Sequence, residues 1–208
     1  MTETVIAIDG PAGSGKSTVA RAVAQRLGLA HLDTGAMYRS IAVAALRAGV
    51  DTADAEAIAA LAKRTDISVG DGAVFVDGVD ATDAIRTEEV TKAVTAVASN
   101  PQVREVMVER QRAWIAEHGG GVLEGRDIGT VVCPDATVKV YLVADPEVRA
   151  QRRAAEHGEA VAQDMRRRDK ADSTREVSPL MRADDAVEID TTDLSIDDVV
   201  DVVMGLVP

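Results

Sequence analysis

The sequence predicts an α/β fold built around a mostly parallel sheet. Short apolar runs alternate with longer helical segments along the chain, which is the pattern of strands joined by helical crossovers. The first run, Val5–Ile8, is apolar throughout, as expected for a central parallel strand that is covered on both faces. With 208 residues, of which 46% are hydrophobic, the chain is long enough for one core and a small inserted subdomain.

The N-terminal part contains two predicted strand–helix pairs. A strand over 4–9 precedes a helix that ends near Gly28, a favourable C-cap residue. A short strand over 30–33 leads into a second helix, which begins at Thr34 and is stopped by Gly49.

The middle of the chain has a different pattern. After a helix over 54–64, strands at 67–69 and 73–76 are separated by glycine turns, and a third strand begins at Val79. A meander of such short strands does not fit a parallel sheet. Residues from about 65–85 are therefore predicted to form the core of an inserted subdomain.

The rest of the chain returns to alternating helices and strands. Asn100 is a suitable helix cap and Pro101 a suitable first helical residue. The predicted elements, in order, are helices from Thr87 and over 101–117, strands from Val122 and over 137–143, helices over 146–157 and 159–169, a strand over 185–189 and a helix over 194–206.

Charge and composition restrict the classes of function. The net charge of −12 argues against a surface that binds nucleic acid or a lipid bilayer. The single cysteine, Cys133, suits a reducing compartment. We see no signal-peptide pattern, no heptad run and no stretch near the roughly 20 apolar residues of a membrane span. We therefore expect a cytoplasmic monomer that binds neither nucleic acid nor membrane.

The most specific motif is a glycine-rich turn between the first strand and the first helix. Residues 10–17 have the complete G-x-x-x-x-G-K-S spacing of a phosphate-binding loop. Glycines let backbone N–H groups approach a phosphate, and the helix N-terminus adds a partial positive charge. Lys16 can reach the β and γ phosphates of a nucleotide, and the Ser17 hydroxyl can bind Mg²⁺. The loop alone does not identify the molecule that receives a phosphoryl group.

Three further stretches concentrate residues that bind anions. Asp33–Arg39 places an arginine one turn into a helix. Glu124–Thr130 follows a strand, where ligands of parallel sheets bind, and sets Arg126 beside Asp127; the alternative reading is a structural Arg–Asp pair in a tight turn. The span 166–175 holds closely spaced arginines that can converge on a polyphosphate. The three histidines show no metal-site spacing.

In the order in which they occur, these stretches resemble those of the bacterial cytidylate kinases. The G-R-D-I-G-T-V-V segment and the D-T-G-A-M-Y-R segment are far more specific than the loop. The resemblance covers essentially the whole chain. The segments that carry it are 10–17, 32–39, 85–90, 124–132, 168–175 and 178–180.

The resemblance implies a P-loop nucleoside-monophosphate (NMP) kinase fold. This fold has a parallel five-stranded core sheet flanked by helices, an inserted small NMP-binding subdomain and an arginine-rich lid. By position, residues 1–34 and 98–208 are the core, with the lid within about 150–178. Residues 35–97 are the NMP-binding region, which contains the small β meander at about 65–85.

The implied reaction transfers the γ-phosphoryl group of ATP to CMP or dCMP, giving ADP and CDP or dCDP, with Mg²⁺. By the same resemblance, Arg39, Arg126 and Arg175 hold the CMP phosphate, and Arg168 and Asp172 meet the sugar. The residues assigned to catalysis are Lys16, Arg126, Arg168 and Arg175. Those assigned to ATP are Gly10, Pro11, Ala12, Gly13, Ser14, Gly15, Lys16, Ser17, Thr18 and Arg152. Those assigned to CMP are Thr34, Tyr38, Arg39, Thr95, Arg104, Arg126, Asp127, Arg168, Asp172 and Arg175. Mg²⁺ is assigned to Ser17, with Asp33 or Glu124 acting through water.

Cytosine recognition is assigned to Thr95, Arg104 and Asp127, and it has a chemical basis. Cytosine presents an amine donor at N4, where uracil presents an acceptor. A buried carboxylate that faces the wrong base loses one bond, at a cost of about 1–3 kcal/mol. The alternatives are another small-molecule P-loop kinase, acting on UMP, AMP or shikimate, and a non-catalytic ATP-binding regulatory module.

Overall fold

The computed structural model describes residues 4–70, 72–157, 169 and 171–208. The chain divides into two compact units, one formed by residues 1–32 and 112–208 and the other by residues 33–111.

The first unit is organised around a five-stranded sheet with the strand order β2-β6-β1-β7-β8. β1 pairs in parallel with both β6 and β7, and β7 pairs in parallel with β8. The five strands are β1 (Thr4–Asp9), β2 (His31–Asp33), β6 (Gly120–Gly125), β7 (Val138–Val143) and β8 (Val187–Asp190). The predicted α/β class and the predicted five-stranded parallel core are thus confirmed.

Helices cover this sheet because their apolar residues match its buried strands. Val19 and Val23 of the first helix and Val200 and Val203 of the last are fully buried and pack in one core cluster with Ile6. Burial of these branched side chains is the main stabilising contribution in a chain with 2% aromatic residues. Among the helices of this unit are α1 (Lys16–Leu27), α6 (Pro146–His157) and α7 (Ile196–Gly205).

The second unit combines helices with a separate antiparallel sheet. β3, β4 and β5 pair in sequence order, which confirms the meander expected from the glycine turns. Polar caps define where its helices begin: Asp54 accepts bonds from two N–H groups of α3, and Thr87 accepts one from α4. The elements are α2 (Thr34–Ala48), α3 (Ala55–Arg64), β3 (Ile67–Gly70), β4 (Ala73–Val76), β5 (Val79–Asp80), a 3₁₀ turn (Ala84–Arg86), α4 (Glu88–Ser99) and most of α5 (Pro101–His118).

The predicted NMP-binding region, 35–97, lies inside the second unit, which extends to residue 111. The difference arises because the first part of α5 belongs to this unit and not to the sheet unit. That the region binds a nucleoside monophosphate stays a prediction. Residues 158–168 and 170 of the predicted lid, about 150–178, lie outside the described residues, and so does the helix predicted over 159–169 apart from its last residue.

Two loops leave the sheet at the carboxyl ends of neighbouring strands. In the parallel pairing of β1 with β6, Asp9 lies opposite Gly125. The phosphate-binding loop follows Asp9, and the Arg126–Asp127 turn follows Gly125. Within the described residues, no helix has the length and apolar character needed to cross a membrane.

The amino end of β6 packs closely against the only tryptophan of the chain. The Trp114 ring stacks on His118 with centroids 4.2 Å apart. A Cβ atom added to Gly121 would lie 2.7 Å from the Trp114 ring, and the φ angle of this glycine is +151°. Glycine is therefore required at this position for both space and backbone conformation.

We predict that Gly121→Ala lowers the free energy of unfolding by about 2–4 kcal/mol, because the Trp114 ring and a strained backbone must both adjust. Gly119→Ala is the matched control, since its φ is +66° but nothing lies within 4 Å of an added Cβ. The control should lose only about 1–2 kcal/mol. Urea denaturation followed by circular dichroism measures both values, and equal losses would contradict the role given to Trp114.

Candidate active site

The phosphate-binding loop is held in a conformation that only glycine permits at its first position. Gly10 has φ +145°, and a Cβ atom there would overlap the carbonyl oxygen of Leu142 on β7. The loop backbone therefore lies directly against the neighbouring strand. The last two loop residues, Lys16 and Ser17, are the first residues of α1, so the helix N-terminus adds its positive partial charge.

Lys16 lies across this loop. Its Nζ atom donates to the Pro11 carbonyl at 2.6 Å and is 3.5 Å from Ser14 Oγ. The residue is only 7% exposed, although lysine is seldom buried. These contacts hold the ammonium group against the loop, where it can act on a bound polyphosphate.

A hydrogen-bonded network beside the loop consists of Ser17, Glu124 and His31. The Ser17 hydroxyl donates to Glu124 Oε2 at 2.6 Å, and His31 Nε2 lies 3.1 Å from Glu124 Oε1. Burial raises the pKa of Glu124, but the bonds from His31 and Ser17 and the charge of Lys16 outweigh it and leave the pKa lowered. Glu124 is thus an ionised carboxylate at neutral pH, as the predicted metal role requires.

Four predicted residues come together after β6 and near residue 175. Arg126 Nε donates to Asp172 Oδ2 at 3.0 Å. The Arg175 guanidinium lies 3.6 Å from Asp172 Oδ1 and 3.8 Å from Asp127 Oδ1. Burial lowers the pKa of Arg126, but the charges of Asp172 and Asp169 outweigh it, so the pKa is raised. The two guanidinium groups are therefore fixed cations, each with a carboxylate partner.

Arg149 and Asp169 tie two distant segments to the phosphate-binding loop. Arg149 Nη1 donates to the Ala12 carbonyl at 3.0 Å, and Asp169 Oδ1 accepts from the Ala12 N–H at 3.1 Å. The two side chains also bond to each other. Neither residue was given a role from the sequence, where the only signal was that Arg149 stands near other arginines.

Arg152, assigned to ATP, contacts the turn after β8. Its guanidinium donates to the Thr191 carbonyl at 2.7 Å and to Thr191 Oγ1 at 3.1 Å. Thr191 Oγ1 in turn donates to the Ser14 carbonyl of the loop at 3.2 Å. Arg152 is thus connected to the loop through Thr191, and its contact with ATP stays a prediction.

Five further predicted residues belong to the second unit. The Arg104 guanidinium lies over the Tyr38 ring, 5.3 Å from its centroid, so these two are brought together. Arg39 donates to the Ile85 carbonyl at 3.0 Å and to Thr91 Oγ1 at 3.3 Å. Thr34 is buried at the start of α2, and Thr95 is half-buried on α4. Their roles in binding CMP stay predictions.

The last two predicted site residues are Asp33 and Arg168. Asp33 Oδ1 accepts from the Ala36 N–H at 2.9 Å and caps α2, so its assignment to a magnesium-bound water stays a prediction. Arg168, assigned to catalysis and to CMP, lies outside the described residues.

Asp9, which was given no role from the sequence, joins the two loops. Its carboxylate accepts from the Ile128 N–H at 2.9 Å and from the Gly129 N–H at 2.8 Å, and the residue is 5% exposed. Burial raises the pKa of Asp9 from 3.8 to about 6, partly offset by these two bonds. The only signal in the sequence was a carboxylate between an apolar strand and the loop.

The parallel sheet and the loop at the end of β1 give the chain the fold of the P-loop kinases. A gluconokinase from Sinorhizobium meliloti 1021 has the same fold, with a TM-score of 0.51 at 15% identity, covering 99% of this chain and 92% of that one.

The sequence model of the family described as Cytidylate kinase matches residues 6–208. The chain is 51% identical to a cytidylate kinase of Geobacillus sp. (strain WCH70), over 97% of this chain and 95% of that protein. It is also 51% identical to a cytidylate kinase of Bacillus subtilis (strain 168), with the same coverage. The chain therefore belongs to the cytidylate kinase family.

We predict that the stability of the wild type relative to Asp9→Asn falls as the pH rises. The folded pKa of about 6 lies above the ordinary value of 3.8, so the contribution of Asp9 is fully present below pH 3.8 and is lost as the pH rises through 6. The change corresponds to about 3 kcal/mol across this range. Urea denaturation of both proteins from pH 4 to 7.5 measures it. Parallel stability curves would show that Asp9 titrates normally.

Proposed function

We propose that this protein is a kinase that transfers the γ-phosphoryl group of ATP to CMP or dCMP. The observation that carries the proposal is the side-by-side exit of two loops from β1 and β6, one suited to the donor phosphates and one carrying Arg126 and Asp127. Membership of the cytidylate kinase family supports the identity of the acceptor.

The proposed reaction needs no side-chain nucleophile. An oxygen of the CMP phosphate attacks the γ-phosphorus of ATP in line, a new P–O bond forms, and the bond to the β,γ-bridging oxygen breaks to release ADP. The acceptor phosphate has its second pKa at about 6 and is largely ionised at neutral pH, so a general base is not required. Lys16, Arg126 and Arg175 supply positive charge where the transferring group develops negative charge.

The residues beside the loop fit Mg²⁺. This hard cation prefers oxygen ligands and keeps several waters, and the Ser17 hydroxyl and the ionised Glu124 carboxylate are bonded to each other at 2.6 Å. Ser17 would bind the ion directly and Glu124 would hold its water. The chemistry that Mg²⁺ supplies when bound is neutralisation of charge on the phosphate oxygens. Among the described residues, no three His, Cys, Asp or Glu side chains form a cage that would compete for it.

Specificity for cytosine is proposed to depend on Asp127. This carboxylate is 5% exposed and can accept from the N4 amine. Uracil would place an oxygen against the carboxylate and leave it without that bond. We also propose that the chain is a cytoplasmic monomer, in keeping with its net charge and single cysteine.

We predict that CMP and dCMP are phosphorylated at least tenfold more efficiently than UMP, AMP, GMP or shikimate in a coupled assay of ADP release. Asp127→Ala should lower the ratio of kcat/KM for CMP to that for UMP by about 10- to 100-fold, the equivalent of one buried unsatisfied group. Asp135→Ala is the control, because this nearby aspartate is exposed.

The other outcomes of this assay separate the alternatives. If UMP, AMP or shikimate is phosphorylated and CMP is not, the protein is a P-loop kinase of another specificity. If ATP binds and no acceptor is phosphorylated, the protein is a regulatory module.

We predict that Glu124→Gln raises the Mg²⁺ concentration needed for half-maximal ADP binding by about tenfold or more, because the ligand set loses its anionic member. Calorimetric titration with ADP at increasing Mg²⁺ measures this without turnover. Glu88→Gln is the matched control, since Glu88 is an exposed carboxylate bonded to Lys92 at 2.6 Å. Equal Mg²⁺ dependence in wild type and Glu124→Gln would remove Glu124 from the metal site.

A further inference from the structure

The carboxylate of Asp9 connects the two loops that the proposed reaction must bring together. Asp9 is the last residue of β1 and directly precedes Gly10, the first residue of the phosphate-binding loop. Its Cα lies opposite Gly125 on one side and Tyr141 on the other, so its backbone is fixed in the middle of the sheet. The donor loop therefore begins at an immobilised residue.

The other end of this connection is the turn that carries the acceptor-binding residues. Ile128 and Gly129 are the first two residues of a single helical turn, Ile128–Val132, which directly follows Arg126 and Asp127. The first N–H groups of a helical segment have no partner within it. The Asp9 carboxylate accepts both hydrogen bonds: Oδ1 accepts from the Ile128 N–H at 2.9 Å, and Oδ2 accepts from the Gly129 N–H at 2.8 Å.

The surroundings leave little freedom for this connection. Ile128 is 1% exposed and Asp9 is 5% exposed, so water does not readily replace the bonds. A Cβ atom added to Gly129 would lie 3.5 Å from Asp9 Oδ2 and 3.3 Å from the Lys139 side chain, which shows how closely the turn packs on the carboxylate. A shift of Asp9 would therefore move the turn.

In-line transfer is sensitive to such a shift. Displacing a reacting group by about 1 Å can cost about 100-fold in rate even when the change lies away from the reacting atoms. We propose that Asp9 is a positioning residue, whose carboxylate holds the Arg126–Asp127 turn in register with the phosphate-binding loop. This inference rests on the proposed function, because it assumes an acceptor phosphate at that turn.

The chemistry of the side chain defines the variant that tests this. Asp9→Asn keeps the volume but has one acceptor oxygen, and its NH₂ group would face a backbone N–H. Asp54→Asn is the matched control, because Asp54 also accepts from two consecutive N–H groups, at 3.2 and 3.0 Å, but caps α3 in the other unit. Loss of the Asp54 cap should lower the stability of the protein but leave the kinetics of CMP phosphorylation unchanged, because this cap does not position the site.

The experiment measures kcat and KM for CMP by ADP release and the dissociation constant of Mg²⁺-ADP by calorimetry, for wild type, Asp9→Asn and Asp54→Asn, well below their melting temperatures. For Asp9→Asn we expect kcat/KM for CMP to fall about 10- to 100-fold, with ADP affinity within about threefold of wild type because Gly10–Ser17 keeps its own contacts. Asp54→Asn should match the wild type in both.

Three results would overturn the proposal. If the CMP kinetics of Asp9→Asn are unchanged, the carboxylate is a helix cap only. If ADP affinity falls as much as kcat/KM for CMP, the carboxylate is a general support of the phosphate-binding loop. If Asp9→Asn does not fold, Asp9→Ser provides one acceptor without an opposing NH₂; if neither folds, Asp9 serves the fold and the proposal fails. A wild type that binds ADP but does not phosphorylate CMP would instead refute the proposed function.

Discussion

The parallel pairing of β1 with β6 is the constraint on which the candidate site depends. It sets Asp9 opposite Gly125, so the loops that follow these residues leave the same edge of the sheet. Neither loop could be moved without breaking a ladder of backbone bonds in the centre of the core. Because both strands are buried along almost their whole length, this relation is protected by the most stable part of the unit.

Charge is balanced locally in the sheet unit, although the chain carries a net charge of −12. Arg126 and Arg175 share the Asp172 carboxylate, and Arg175 also lies near Asp127. A buried guanidinium without a partner would be costly, and carboxylate partners remove that cost while fixing the orientation of the cation. Such an arrangement is ordered before an anion arrives, which is the condition under which fixed charges contribute most to a transition state.

Local pattern was sufficient for most of the fold and for the residue types of the site. The phosphate-binding loop, the antiparallel meander and the helix cap at Asn100 depend on residues that are close in sequence. The contacts that complete the site do not. Asp9 and Ile128 are 119 positions apart, and the bond between Ser17 and Glu124 spans 107 positions.

No periodicity or motif encodes such pairs directly, because they follow from the order in which strands pair in the sheet. His31 shows the same limit. No role could be predicted for this histidine, because the histidines lack the spacing of a metal site. Its contact with Glu124 follows from the strand order, in which β2 lies beside β6.

The position of Trp114 gives the protein a built-in optical probe. The indole packs at Gly121, near the amino end of β6, whereas the loops of the site follow Gly125, about 13 Å further along the strand. Because the chain has one tryptophan, its fluorescence arises from a single place in the molecule. That emission reports on the packing at the amino end of β6, away from the loops of the site. Tryptophan fluorescence therefore follows folding, and nucleotide binding can be followed by a separate signal in the same sample.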